Sequence, residues 1–85
     1  MTAATYRGAD YVLWCSESGR SCAVPRWCPH LDWDLTEAVV VGEELVCPGH
    51  GWSIAVDGRV FKRNELGRED DKGRVQLVDI AELED

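Results

Sequence analysis

The sequence predicts a small antiparallel all-β domain, and three observations support that fold class. Short aromatic and β-branched segments alternate with turn dipeptides along most of the chain. No segment carries an apolar stripe at helical spacing over more than two turns. The chain has 85 residues, of which 45% are hydrophobic and 29% charged, which suits one domain with a thin core. We therefore expect residues 1–85 to form a single sandwich-like or barrel-like β domain.

The first predicted hairpin pairs strands at Tyr11–Cys15 and Ser21–Arg26 around a turn at Ser18-Gly19. A two-residue turn at that position would set Cys15 directly opposite Cys22. A disulfide between these cysteines is geometrically feasible. Two buried free thiols are the expected state, because a reducing cytoplasm disfavours disulfides.

Two further hairpins are predicted, each with a glycine in its turn: Val39–Val41 with Glu44–Cys47 around Gly42-Glu43, and Trp52–Val56 with Arg59–Lys62 around Asp57-Gly58. The next stretch, Asn64–Gly73, is polar and contains two glycines, so it is predicted to be a loop. Arg74–Ile80 alternates well enough for a closing strand.

Composition restricts the partners of the protein. The formal net charge is −7, which argues against nucleic acid or an anionic membrane as the main partner. No apolar run approaches the roughly 18 residues of a membrane span, and Met1–Gly8 carries no export signal. We expect a cytoplasmic monomer.

Both histidines and two of the four cysteines fall in two short boxes. Sixteen residues separate Cys28-Pro29-His30 from Cys47-Pro48-Gly49-His50. Each box follows a predicted strand and contains a proline, which places it on a loop. Two loops that each offer a thiolate and an imidazole can close around a metal centre. A structural zinc site is one interpretation, although zinc fingers usually put two cysteines in one knuckle and two histidines on a helix.

With Gly51-Trp52 added to the second box, the pattern closely resembles the Rieske family of [2Fe–2S] proteins, and the similarity extends over roughly residues 11–62. The resemblance implies an antiparallel β domain with a small cluster-binding lobe made of two loops, here at about 27–34 and 46–53. It also implies the four cluster ligands, two on each iron: Cys28 and Cys47 on the inner iron, and His30 and His50 on the outer one.

The resemblance carries an expectation about redox potential. Two ferric ions, two sulfides and two thiolates sum to zero charge, so the centre accepts an electron more readily than a four-cysteine cluster, at about −150 to +300 mV. High-potential members of the family have a disulfide between the loops and a serine beside the second box. This sequence has Trp33, Gly49 and Trp52 at those places. The departures indicate the low-potential end, which is typical of Rieske ferredoxins and the Rieske domains of ring-hydroxylating oxygenases.

A carrier of single electrons is the function that this resemblance implies. The catalytic iron of such an oxygenase needs two further histidines and a carboxylate, and both histidines of the chain already belong to the boxes. We expect a soluble ferredoxin that receives electrons from a reductase and passes them to an acceptor such as an oxygenase. A redox-sensing regulatory module and a structural zinc module are the alternatives.

The four tryptophans have different expected roles. Trp14 and Trp27 are expected to be packing residues. Trp33 and Trp52 flank the boxes and, with neighbouring apolar residues, either form a docking collar or only shield the cluster from water. The rest of that collar would be Pro29, Leu31, Pro48 and Gly49.

Residues 65–85 hold eight acids, which either form a solvated surface or steer a basic partner toward the protein. The N-terminus is expected to lack the first strand of longer family members, and Asp32-Trp33 replaces their Gly-Gly.

Overall fold

The structure is a computed structural model that describes residues 2–28, 33–49, 51–63, 65–78 and 80–83. Its eight strands form two antiparallel sheets, with orders β1-β2-β3 and β4-β5-β6-β7-β8. The strands are β1 (Thr2–Tyr6), β2 (Ala9–Cys15), β3 (Ser21–Pro25), β4 (Val39–Val41), β5 (Glu44–Val46), β6 (Trp52–Ala55), β7 (Arg59–Arg63) and β8 (Glu69–Arg74). The described residues contain no α-helix, only 3₁₀ turns at Leu35–Glu37 and Ile80–Glu82. The all-β prediction is confirmed.

The main core contains side chains from both sheets. Val12 and Trp14 of β2, and Cys22 and Val24 of β3, lie two residues apart and point into this core, as the two-residue period of a β-strand requires. The shared apolar cluster contains Val12, Trp14, Cys22 and Val24 from the three-stranded sheet, and Leu45, Ile54 and Val60 from the five-stranded sheet. Four residues complete this cluster from the connecting segments: Cys28, Leu35, Ala38 and Cys47. The core therefore reaches the first residue of each predicted ligand box.

The first hairpin has a different register from the predicted one. Cys15 lies opposite Ser21, and Trp14 lies opposite Cys22. The connection is a five-residue loop in which Ser16 N–H donates to Arg20 O at 2.8 Å. The one-residue offset turns the two cysteines to opposite faces, so Cys15 is exposed, Cys22 is buried and both are free thiols. The directly opposed pair, the disulfide option and the burial of both thiols were therefore wrong.

The other two predicted hairpins are present. Gly42-Glu43 joins β4 to β5, with Val41 opposite Glu44 and Gly42 at φ 60°. Between β6 and β7, Ile54 lies opposite Val60 and the Gly58 N–H donates to Ala55 O at 2.9 Å. Gly58, at φ 90°, is the left-handed residue at the end of this three-residue connection.

Two strand predictions were wrong. No sequence pattern predicted β1, and the N-terminus was expected to lack a first strand, yet β1 pairs with β2 through an Arg7-Gly8 turn in which both residues have positive φ. All of β8 except Arg74 lies within the stretch predicted as a loop, and residues 75–78, predicted as part of the closing strand, are not in a strand. Every residue of β8 is exposed, so hydrophobic alternation could not mark it.

Ion pairs hold β8 to the sheet edge and cover an aromatic ring. Arg59 and Arg63 both contact Glu69 of β8, at 2.7 and 3.4 Å, and Arg63 also forms two hydrogen bonds with Glu44. The two guanidinium groups lie 4.5 and 4.9 Å from the ring centroid of Phe61, which is 1% exposed. Phe61 is thus buried outside the main core cluster, under charged side chains whose stems shield it from water.

The described residues include no helix long and apolar enough to cross a membrane.

Candidate metal centre

Each of the two predicted ligand boxes lies on a loop, and an equivalent backbone hydrogen bond closes each loop. In the first loop, the Cys28 N–H donates to Trp33 O at 2.8 Å. In the second loop, the Cys47 N–H donates to Trp52 O, also at 2.8 Å. Each cysteine is therefore tied to the carbonyl of a tryptophan five residues later. This equivalence can be read from the sequence as Cys-x₄-Trp twice, and sequence reasoning missed it.

Both cysteine thiols lie at the base of their loops, inside the apolar core. Cys28 is 0% exposed and Cys47 is 1% exposed, and neither forms a disulfide. Two buried thiols in apolar surroundings, one on each of two matching loops, are a donor set that suits iron or zinc. His30 and His50, the other two predicted ligands, lie outside the described residues, as do Pro29, Leu31 and Asp32.

An indole ring connects the two loops. A Cβ atom added to Gly49 would lie 2.5 Å from Nε1 of Trp33 and 2.7 Å from its Cδ1 and Cε2 atoms. The pyrrole edge of Trp33 therefore fills the space that any side chain at position 49 would need. Trp33 is nevertheless 41% exposed, so its remaining surface faces solvent.

A salt bridge joins the two segments that flank the first loop. Arg26 Nε and Nη2 donate to the two carboxylate oxygens of Asp34 at 3.1 and 2.9 Å. Asp34 also caps the following 3₁₀ turn, because its Oδ1 accepts from the backbone N–H and the hydroxyl of Thr36 at 3.0 and 2.8 Å. Hydrogen bonds from Arg26 and then from Thr36 hold the pKa of Asp34 well below its usual range. The backbone of Trp27 pairs with that of Asp34, which completes the closure.

The second loop is flanked by a cation–π contact. The Lys72 ammonium lies 5.3 Å from the ring centroid of Trp52, the residue whose carbonyl closes the loop. Trp52 is partly buried and packs against the main core. Its ring is therefore fixed between the core and β8.

Two turns are hydrogen-bonded to each other at the ends of β3 and β5 remote from the boxes. The Glu43 carboxylate accepts from the hydroxyl of Ser16 and from the hydroxyl and backbone N–H of Ser18. The Glu17 N–H donates to Gly42 O at 2.9 Å, and the Glu17 carboxylate accepts from Gly42 N–H. We call this group of five residues the turn lock. Because β3 and β5 each run from the lock to a box, it fixes the two hairpins relative to each other.

The expectations for the tryptophans were partly right. Trp14 is 2% exposed and packs in the core, although its Nε1 has no hydrogen-bond partner among the described residues. Trp27 is 44% exposed, and the Arg26 guanidinium lies 5.1 Å from its ring centroid. The prediction that Trp27 is a packing residue was therefore wrong.

The fold and this site define an antiparallel β domain with two matched loops that present buried thiols. Comparison with protein families makes the class specific, because the model of the Rieske [2Fe–2S] domain matches residues 1–79. The chain belongs to the Rieske [2Fe–2S] domain family. Membership implies a Rieske-type [2Fe–2S] cluster, and the buried thiols on paired loops fit such a group.

Similar curated proteins are named as a monooxygenase, an oxygenase component and a desaturase, and each is much longer than this chain. The chain is 38% identical over 74 residues, 86% of its length, to the 4beta-methylsterol monooxygenase of Methylococcus capsulatus, and covers 19% of that protein. It is 35% identical over 52 residues to the oxygenase component of 3-ketosteroid-9-alpha-monooxygenase of Mycobacterium tuberculosis, and covers 14% of it. It is 32% identical over 56 residues to a cholesterol 7-desaturase of Ciona intestinalis, and covers 12% of it. The chain thus spans less than a fifth of these relatives.

Proposed function

We propose that this domain carries single electrons, through a [2Fe–2S] cluster held by Cys28, His30, Cys47 and His50, from a reductase to an acceptor oxygenase. The observation that carries the proposal is the pair of buried cysteines at equivalent positions of two loops that are closed by equivalent backbone hydrogen bonds. The cluster, when bound, takes up and returns one electron at a time. The chain supplies its thiolates, its apolar surroundings and its fixed loop ends.

A carrier role, without catalysis by these residues, is supported by the ligand inventory. The sequence has two histidines, and both belong to the ligand boxes. A non-haem iron site for oxygen activation needs two histidines and a carboxylate of its own. We therefore propose that these 85 residues act as one electron-transfer unit, with cluster loops at about 27–34 and 46–53, and that oxygen chemistry takes place on an acceptor.

The relatives narrow the class of acceptor that we propose. The three relatives described above carry names that refer to sterol or steroid oxidation. We propose an oxygenase that acts on a sterol or steroid as the first acceptor to test. The same relatives support a second candidate function, in which this domain is the electron-entry part of an oxygenase whose catalytic domain is additional polypeptide.

Cluster content is the first test. The purified protein should contain two irons and two acid-labile sulfides per chain and show visible absorption that bleaches on reduction. Cys28→Ala and Cys47→Ala should each lose the cluster, whereas Cys15→Ala, which changes an exposed cysteine outside the boxes, should keep it. One zinc per chain without sulfide would contradict the proposal and favour the zinc module.

Electron flow is the second test. A flavin reductase with NADH should reduce the protein, and a steroid oxygenase added in catalytic amount should reoxidise it in the presence of oxygen and steroid. Catalytic turnover with the separate chain supports the carrier role. Reduction of the cluster without any transfer to an added oxygenase would contradict that role and favour the redox-sensing alternative.

A further inference from the structure

The contact between Trp33 and Gly49 crosses from one ligand loop to the other. Trp33 belongs to the first loop, because its carbonyl accepts from the Cys28 N–H. Gly49 belongs to the second loop, two residues after Cys47. The indole and the glycine backbone are so close that even a methyl group between them would require movement. The two loops are therefore in direct van der Waals contact beside the predicted ligands.

This contact complements the turn lock at the remote end of the same two hairpins. There, Glu43 and Glu17 tie the β2–β3 loop to the β4–β5 turn. With a tie at each end, the first and second boxes have little freedom to separate. A centre whose ligands come from two loops needs such support, because small changes in loop spacing alter ligand geometry.

Trp33 differs from the neighbouring Trp27 in this respect. Both side chains are similarly exposed, 41% for Trp33 and 44% for Trp27, and each lies within five residues of Cys28. The ring of Trp27 has Arg26 as its described contact, a residue of the same segment, whereas the ring of Trp33 reaches the other loop. The two side chains are therefore similarly accessible to solvent, but the ring of Trp33 contacts the second ligand loop.

We propose that Trp33 is a positioning residue that sets the spacing of the two cluster loops by packing against Gly49. This inference rests on the proposed cluster and adds a role for a residue that is not itself a ligand. Residues that support metal ligands from outside typically change metal affinity by about 10-fold to 100-fold when replaced. The indole supports the loops through shape, so a smaller ring should do so only in part.

The test compares Trp33→Ala, Trp33→Phe and Gly49→Ala with Trp27→Ala as the matched control. Three quantities are measured on the holoprotein: the rate of cluster loss to a chelator, the midpoint potential, and the g values of the reduced cluster. Trp33→Ala and Gly49→Ala should lose the cluster at least about tenfold faster and shift the g values. Trp33→Phe should lie between Trp33→Ala and wild type, and Trp27→Ala should stay within about twofold of wild type.

Gly49→Ala keeps the test decisive if Trp33→Ala does not fold, since it retains the indole and only displaces it. Wild-type loss rates and g values in both Trp33→Ala and Gly49→Ala, or an equal change in Trp27→Ala, would overturn the positioning role. Iron and sulfide analysis of the wild type separates this failure from failure of the proposed function. A wild type without two irons and two sulfides refutes the cluster, whereas unchanged variants with a normal cluster refute only the role of Trp33.

Discussion

At the scale of single residues, Asp34 combines three tasks beside the first loop. It receives two hydrogen bonds from Arg26, caps the 3₁₀ turn that starts at Leu35, and pairs through its backbone with Trp27. The carboxylate form is the one that these donors stabilise. Asp34 is therefore the residue through which acid should loosen the base of the loop.

The first prediction concerns acid stability. Because the pKa of Asp34 is lower in the folded chain than its unfolded value of about 3.9, its stabilisation is complete above that value and is lost as the pH falls toward the folded pKa. Asp34→Asn should lower the melting temperature at pH 7 and flatten its decline below about pH 4. Thermal unfolding between neutral and acidic pH measures both effects. Glu37→Gln, at an exposed acid in the same 3₁₀ turn, is the control, and an identical acid slope in Asp34→Asn and wild type would contradict the prediction.

The second prediction concerns Phe61, which is buried under Arg59 and Arg63. Phe61→Ala should reduce the free energy of unfolding by about 3–5 kcal/mol, because it removes a fully buried ring and leaves a cavity. Phe61→Leu should cost clearly less. Urea unfolding of the three proteins measures the difference. A loss below about 1 kcal/mol for Phe61→Ala would mean that the arginine stems close over the site.

At the scale of secondary-structure elements, the structure shows which strands and turns could be predicted from the sequence. Hairpins with Gly42 or Gly58 in the turn were predictable, because glycine at positive φ marks a tight connection. The register of the first hairpin was not, since the five-residue loop depends on the Ser16 hydroxyl accepting from the Arg20 N–H. β8 was not predictable either, because an edge strand with six exposed residues is stabilised by pairing and charge and not by burial.

The same distinction applies to the candidate site. The two Cys/His boxes are visible in the sequence because their spacing is itself the signal. The contact of Trp33 with Gly49 depends on how two distant loops approach each other, and no local pattern encodes that approach. The turn lock is hidden for the same reason: Ser18 and Glu43 are 25 residues apart.

The third prediction separates strain from steric clash at two turns. Gly58 and Gly67 both have positive φ, at 90° and 78°. A Cβ on Gly58 would lie 2.9 Å from Val75 O, whereas a Cβ on Gly67 would have no neighbour within 4 Å. Each alanine substitution should cost about 1–3 kcal/mol for the backbone conformation, and Gly58→Ala should cost more because of the clash. Chemical unfolding measures both, and an equal cost would show that Val75 moves away freely.

The fourth prediction concerns the turn lock. Glu43→Gln retains size but removes the charge that strengthens three hydrogen bonds from Ser16 and Ser18. Amide exchange at Ser18 should accelerate by about tenfold or more, while amides of β7 keep their protection. Glu65→Gln, at an exposed acid outside the lock, should leave the Ser18 amide unchanged. Unaltered exchange in Glu43→Gln would show that the two hydrogen bonds between Glu17 and Gly42 suffice.

At the scale of the whole molecule, acidic residues outnumber basic ones, and several of the basic residues already form ion pairs. The chain has 16 acids and 9 basic residues. Arg26, Arg59, Arg63 and Lys72 are engaged in ion pairs. The excess of negative charge is therefore available to act at long range, within the limit set by salt screening.

The fifth prediction concerns encounter with a basic redox partner. Glu65→Lys with Glu82→Lys changes two exposed acids, and each reversal adds two charges, so the net charge goes from −7 to −3. The rate of electron transfer to a basic redox protein should then depend on ionic strength about half as steeply. Stopped-flow mixing over a salt series measures this slope. The double variant Glu65→Asp/Glu82→Asp is the control, and an unchanged slope in the lysine variant would show that the field near the cluster loops, not the net charge, sets the encounter rate.

The burial of Cys28 and Cys47 in the main core has a consequence for how the centre is assembled. Both thiols pack with residues of the two sheets, so the contacts that form the core also set the positions of the two sulfur ligands. Assembly of the centre is thus coupled to the packing of the core, because a core substitution that moves the base of either loop also moves a ligand.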